Sequence, residues 1–134
     1  MAKMQAVFYR DARGNQPVSD FIDRLNPVSV QVAVDNQIDR LNMLRPADPP
    51  LPFPHSSQVD GELRELRCHY GRILIRVLYR RSGNLFVLLH AFEKRTKSIP
   101  EQDKAVAKER WEDFKARMRA DPRMPPRAAG HDAP

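Results

Sequence analysis

The sequence predicts an α+β domain, in which a short strand and a helical hairpin pack on a small antiparallel sheet and a C-terminal helix follows. Three observations predict it. Apolar residues recur at helical spacing between Val18 and Leu44. Three alternating apolar runs, separated by glycine turns, lie between Leu63 and Glu93, and helical periodicity returns from Ala107 to Met118. With 134 residues, 41% hydrophobic and 30% charged, the chain suits one core rather than two.

The run Gln5-Ala-Val-Phe-Tyr9 is rich in β-branched and aromatic side chains and reads as a strand. Gly14-Asn15-Gln16 makes a turn, and Pro17 suits the first position of a helix carrying Val18, Phe21, Ile22 and Leu25 on one face. Asn26 is placed to cap a second helix that Pro27 opens, with Val30, Val34, Ile38, Leu41 and Leu44 as its stripe. Five prolines between Pro46 and Pro54 then exclude helix and central strand and predict an extended linker. Gly71 and Ser82-Gly83-Asn84 divide the next segment into strands Leu63–His69, Arg72–Arg80 and Leu85–Glu93, an antiparallel meander. Ser98-Ile-Pro-Glu101 has a capping-box pattern, and Ala107, Trp111, Phe114 and Met118 continue the last helix. Residues 1–120 form the expected domain. Residues 121–134 hold four prolines without apolar periodicity and are expected to be a disordered tail.

Several classes are excluded at this level. The longest apolar stretches, such as Leu85–Leu89, are too short to cross a bilayer, and the first residues lack the apolar core of a secretory signal. Cys68 has no second cysteine to pair with, which fits a reducing, cytoplasmic setting. One cysteine and four scattered histidines do not supply a structural zinc site.

The net charge of +6 is concentrated. Between Glu62 and Lys97 stand nine basic residues (Arg64, Arg67, Arg72, Arg76, Arg80, Arg81, Lys94, Arg95, Lys97) against Glu62, Glu65 and Glu93, while the flanking segments are close to neutral. Such clustering suits a polyanion-binding face; the alternative is a solvated sheet surface. Strand alternation assigns the sides. Arg72, Leu74, Arg76, Leu78 and Arg80 share one face of their strand, opposite the core side Ile73, Ile75, Val77 and Tyr79. Glu65, Arg67 and His69 share a face, as do His90, Phe92 and Lys94. In the matching register, Arg67, Arg76 and Lys94 converge from three strands, and a slip of one residue inverts a strand. Arginine forks and a lysine point charge on rigid strands suit a phosphate. No Gly-rich phosphate loop and no carboxylate cluster for Mg²⁺ is present, so phosphodiester chemistry here is expected to need neither metal nor cofactor. RNA supplies its own nucleophile, the 2′-OH.

Glu65-Leu-Arg67, Gly71-Arg-Ile-Leu-Ile-Arg76-Val-Leu-Tyr79, Leu88-Leu-His-Ala-Phe92-Glu-Lys94-Arg-Thr96, Pro100 and the helix Ala105–Phe114 together resemble the phage Gp49-like, HigB-type toxins of the RelE/ParE superfamily. The strong resemblance covers about residues 62–115, and the strand and two helices before it stand in the family's order. The resemblance implies a RelE-like fold with a concave basic face. It also implies the toxin of a toxin–antitoxin pair, usually a ribosome-dependent mRNA endonuclease that leaves a 2′,3′-cyclic phosphate and a 5′-OH. By matched position it carries over Arg67 and Arg76 as a clamp on the scissile phosphate and Lys94 as an aid to charge or proton transfer. Tyr9, Arg72, Arg95 and Lys97 are further candidates for RNA contact, and Lys97-Ser98 stands where the family commonly has Gln-Lys. The implied partners are a helix-turn-helix, HigA-like antitoxin, mRNA and the ribosome.

Other residues read more simply. His90 lies between Leu89 and Ala91 and is expected to be a buried structural histidine rather than a base; His69, near a turn, fits either surface or site. Cys68 and Trp111 are expected in the core, Tyr79 with its ring inward, Glu65 as an ion-pair partner, and Arg80 and Arg81 in solvent. Two other functions compete: a non-catalytic ParE-like inhibitor of a protein such as gyrase, and a degenerate domain that only binds an antitoxin or RNA.

Overall fold

The computed structural model describes residues 3–120 and 127–130. Its elements are β1 (Gln5–Phe8), α1 (Pro17–Asp23), α2 (Val28–Asn42), β2 (Ser56–Asp60), β3 (Leu63–Tyr70), β4 (Ile73–Ser82), β5 (Leu85–Glu93), α3 (Glu101–Arg119) and β6 (Arg127–Ala128). The sheet order is β2-β3-β4-β5-β1-β6. This is the expected α+β architecture, with a layout consistent with a RelE-like fold. The sheet itself is mixed: the pairs from β2 to β5 are antiparallel, but β1 runs parallel to β5. The connection from β1 to the meander contains both helices of the hairpin, and a crossover of that length permits parallel pairing where a tight turn does not.

Alternation along the strands sends side chains to two separate cores. On one face Val18, Ile22, Val30, Val34, Ile38 and Leu41 of the hairpin cover Ala6, Phe8, Leu66, Cys68, Ile75, Val77, Tyr79 and Leu88. On the other, Ala107, Trp111 and Phe114 of α3 cover Val7, Leu63, Leu78, Val87 and Leu89. The sheet is therefore a middle layer. Cys68 and Trp111 are buried as expected, and Tyr79 turns its ring inward with its hydroxyl 2.6 Å from that of Ser56. Leu78, grouped by alternation with the arginines of its strand, belongs to the second core because α3 lies over it.

Several local expectations are corrected. Neither proposed side-chain cap forms: Pro27 and Pro100 occupy the N-cap positions of α2 and α3 without a side-chain bond. Ser98 instead uses its carbonyl to accept the Thr96 hydroxyl. Pro17 does open α1. The prolines from Pro46 to Pro54 hold a segment without helix or strand, but it leads into β2, a strand that no sequence signal announces. Its Ser-Ser-Gln-Val-Asp sequence has little apolar alternation and is held by its ladder with β3. The expectation of a disordered tail falls in part on described residues. Residues 127–130 carry β6, which pairs with β1, and Ala129 is buried; residues 121–126 and 131–134 lie outside the described residues. Asn42 explains the docking. Its buried side chain accepts from the Ala6 amide at 2.7 Å and donates to the Ala129 carbonyl at 3.1 Å, joining α2 to β1 and to the segment after β6. Gly130 follows with φ +80, where a Cβ would collide with the Asp39 carboxylate.

Candidate functional site

The register of β3, β4 and β5 lays three rows across the face that α3 partly covers. Glu65 lies opposite Leu78, and Leu78 opposite His90. Arg67 lies opposite Arg76, and Arg76 opposite Phe92. His69 lies opposite Leu74, whose carbonyl accepts the Lys94 amide at 2.7 Å. One irregularity keeps His90 on this face: the register shifts after Leu78, leaving Leu89 as the extra residue of a bulge. Leu89 and His90 thus lie on the same side, which strict alternation forbids. The first row belongs to the α3 core through Leu78, and the charge accumulates in the second and third rows.

Arg67, Arg76 and Lys94, the three residues carried over as catalytic, all act electrostatically on the ring of His69. Burial, then Arg76, Arg67 and Lys94, hold its imidazole below the ordinary histidine range, against the opposing pull of Glu65. Alternation along β3 puts His69 on the same face as Arg67. The three cations are not equivalent. Arg76 is 2% exposed, its Nε 2.6 Å from Glu65 Oε1, itself in a residue only 7% exposed. Glu65 also accepts the Ser57 hydroxyl at 2.7 Å, so edge strand β2 steadies the pair. A guanidinium nitrogen of Arg76 donates to His69 Nε2 at 3.1 Å. Arginine has no acceptor, so Nε2 presents its lone pair there and the neutral ring carries its proton on Nδ1. Arg76 is buried and neutralised by Glu65, and its free reach is into the imidazole. Arg67 and Lys94 are less buried and, among the described residues, have no carboxylate within ion-pair distance.

The remaining candidates sit apart from this cluster or at its margin. Arg72 is exposed at the β3–β4 turn, Lys97 is exposed before α3, and Arg95 is exposed with Glu93 at 3.4 Å. Tyr9 is not brought to the cluster. It is buried under α3, donates to Asp113 at 2.6 Å, and has the Arg110 and Arg117 guanidinia 5.9 and 5.5 Å from its ring centre. Burial and Asp113 push its hydroxyl well above the ordinary tyrosine range. Tyr9 also lines a cavity of about 570 Å³, where Asp11, Glu109 and Asp113 offset Arg13 and Arg110. That mixed lining does not favour a polyanion, so the cation cluster on β3–β5 remains the better site. Arg80 departs from its expected place in solvent: it lies over Trp111 at 4.6 Å and pairs with Glu62 at 2.6 Å, whereas Arg81 is exposed. Among the described residues no three His, Cys, Asp or Glu side chains gather as a metal-ligand set.

His90 is half-buried and held against α3. Its Nε2 is 2.6 Å from Asp103 of α3, its Nδ1 is 3.4 Å from Arg110, and its ring stacks on Phe92. Burial, above all, lowers its pKa, against the pull of Asp103. His69 and His90 share that direction, so the folded chain binds their protons less readily than the unfolded chain. As pH falls below 6.5 the unfolded state gains protons first, and stability is lost down through the lowered folded values. The melting temperature is expected to fall between pH 7 and the carboxylate range, and His69→Gln to flatten part of that fall. A His69→Gln curve parallel to wild type would refute the contribution of this ring.

The family model described as phage derived protein Gp49-like matches residues 20–112. No curated protein matches the chain.

Proposed function

This chain belongs to the phage-derived Gp49-like family, a RelE/HigB-type toxin family, and from that membership and the cation cluster we propose that it is the toxin of a type II toxin–antitoxin pair, acting as a metal-independent mRNA endonuclease. The observation that carries the reading is the geometry of β3, β4 and the end of β5: Arg67 lies opposite Arg76, Arg76 reaches His69 at 3.1 Å, and the Lys94 amide bonds the carbonyl of Leu74, the residue opposite His69. Several positive charges facing one carboxylate leave an excess that a phosphodiester would neutralise.

In this reading Arg67 and Lys94 hold the scissile phosphate, and the Nδ1–H of His69 donates to a non-bridging oxygen. Arg76 is a positioning residue that holds the ring from its other nitrogen. The RNA 2′-oxygen attacks phosphorus, its proton leaves to solvent, the bond from phosphorus to the 5′-oxygen breaks, and the Lys94 ammonium returns a proton to that oxygen. The products are a 2′,3′-cyclic phosphate and a 5′-hydroxyl end. Negative charge grows on the phosphate during attack, so fixed cations favour the transition state over the ground state. Ribosome dependence, a cytoplasmic site of action and neutralisation by a HigA-like helix-turn-helix antitoxin follow from the same family reading. Among the described residues no helix is long and apolar enough to cross a membrane.

Mapping transcript 5′ ends after brief induction of the chain tests this. New 5′-hydroxyl ends inside translated frames are expected within minutes. Growth arrest with no new ends would instead support the gyrase-type protein inhibitor, and neither effect would leave a domain that only binds.

A further inference from the structure

The proline-rich segment presents one aromatic side chain to solvent beside the cation cluster. Phe53 is 69% exposed, although the Arg67 guanidinium lies over its ring, 4.8 Å from the centre. An apolar ring this open has no part in either core. Its setting is nonetheless held in place. The Pro52 carbonyl accepts the amides of His55 at 2.9 Å and Ser56 at 3.2 Å, closing a turn with Phe53 at its tip, and the Arg67 amide donates to the His55 carbonyl at 2.8 Å. Gln37 of α2 ties down the same junction by donating to the Arg67 carbonyl at 2.8 Å. Prolines on both sides of Phe53 restrict the backbone further.

We propose that Phe53, with Arg67 behind it, is a stacking platform for one unpaired nucleobase of the RNA substrate, next to the phosphate that Arg67 and Lys94 hold. This rests on the endonuclease reading and adds a base subsite to it. One ring face lies against the guanidinium, and the remaining surface is open to a second flat group. Single-stranded RNA offers such a group at every nucleotide, and aromatic side chains bind it with little base preference. Because Arg67 touches the ring and lies opposite Arg76 in the cation cluster, the stacked base and the gripped phosphate belong to the same or adjacent nucleotides. The platform orders the RNA so that the 2′-oxygen and the phosphate arrive together.

The test uses the purified full chain, ribosomes carrying mRNA in a reconstituted translation system, and primer extension to follow cleavage. Phe53→Ala and Phe53→Leu are expected to lower kcat/KM by roughly 5- to 100-fold, and Phe53→Trp to retain activity. Their melting temperatures should match wild type, since the ring is exposed. An abasic nucleotide beside the cut should slow the wild type by a similar factor and leave Phe53→Ala almost unaffected, which separates stacking from displacement of Arg67. Wild-type cleavage by Phe53→Ala overturns the subsite and leaves the nuclease reading standing; this includes the case where that variant escapes its antitoxin, which would make Phe53 a protein anchor. Failure of the wild-type chain to cut any mRNA overturns the nuclease reading and the subsite with it.

Discussion

Replacing Lys94 with alanine is expected to reduce RNA cleavage by about 100- to 1000-fold while leaving the melting temperature within a few degrees of wild type. Arg67→Ala should do the same. Neither residue has a carboxylate partner among the described residues, so removing one strands no buried charge. What each loses is attraction for a phosphate whose charge grows as the 2′-oxygen attacks. Arg67→Lys should restore only part of the rate, because an ammonium keeps the charge but not the planar fork, nor its stacking on Phe53. Cleavage rates with ribosome-bound mRNA, measured beside thermal unfolding, decide the matter. Two stable variants cleaving at the wild-type rate would remove this cluster as the site.

The largest expected loss of stability lies one row away. Glu65→Gln should destabilise the fold by about 3–5 kcal/mol, since it leaves the Arg76 guanidinium buried without a counter-charge. Arg76→Ala should cost a similar amount by orphaning the carboxylate. Against a typical total of about 5–15 kcal/mol, either change consumes much of the margin. Lost toxicity in Arg76→Ala is therefore no evidence of a catalytic arginine, because an unfolded toxin is equally harmless. The pair Glu65→Leu with Arg76→Met separates the two effects. Apolar replacement of a buried ion pair is commonly neutral or stabilising, so this double variant should fold. It also removes a cation and a hydrogen bond from His69, whose pKa should move up towards 6.5 in an NMR titration while cleavage falls. A folded double variant with unchanged His69 titration and unchanged cleavage would show that Arg76 serves the core alone.

Faces were legible from sequence where depth was not. Period-two alternation, with turns at Gly71 and at Ser82-Gly83-Asn84, put Arg67, His69 and Arg76 on one side, and the register then set Arg67 opposite Arg76. Alternation says nothing of what lies above a face. It therefore could not tell that α3 reaches Leu78, or that Arg76 lies under its neighbours and is held by Glu65. Local signals also lost to tertiary pairing. Ser56–Asp60 is a weak strand by composition and exists because β3 offers it an edge. Asn26 and Ser98 have capping chemistry, yet the helices begin after prolines that follow them. Tyr9 is an RNA-contact candidate by resemblance alone, and nothing local in the sequence announces that α3 brings Asp113 to its hydroxyl. The bulge at Leu89 has no glycine or proline to announce it.

The parallel pairing of β1 bears on the order in which the molecule assembles. Strands β3, β4 and β5 are joined by tight turns, so their contacts are local and close small loops. Strand β1 has no such neighbour: Gln5 waits for Leu85, and Val7 for Ala128. Non-local pairings of this kind slow folding, because the loop must close before any contact repays it. Arg67 and Arg76 lie on the locally paired meander and Lys94 directly follows it, whereas the tie from β1 to the hairpin through Asn42 depends on the non-local strand. The charged surface is therefore built on contacts local in sequence, and the four-residue strand β1 supplies the non-local closure of the sheet.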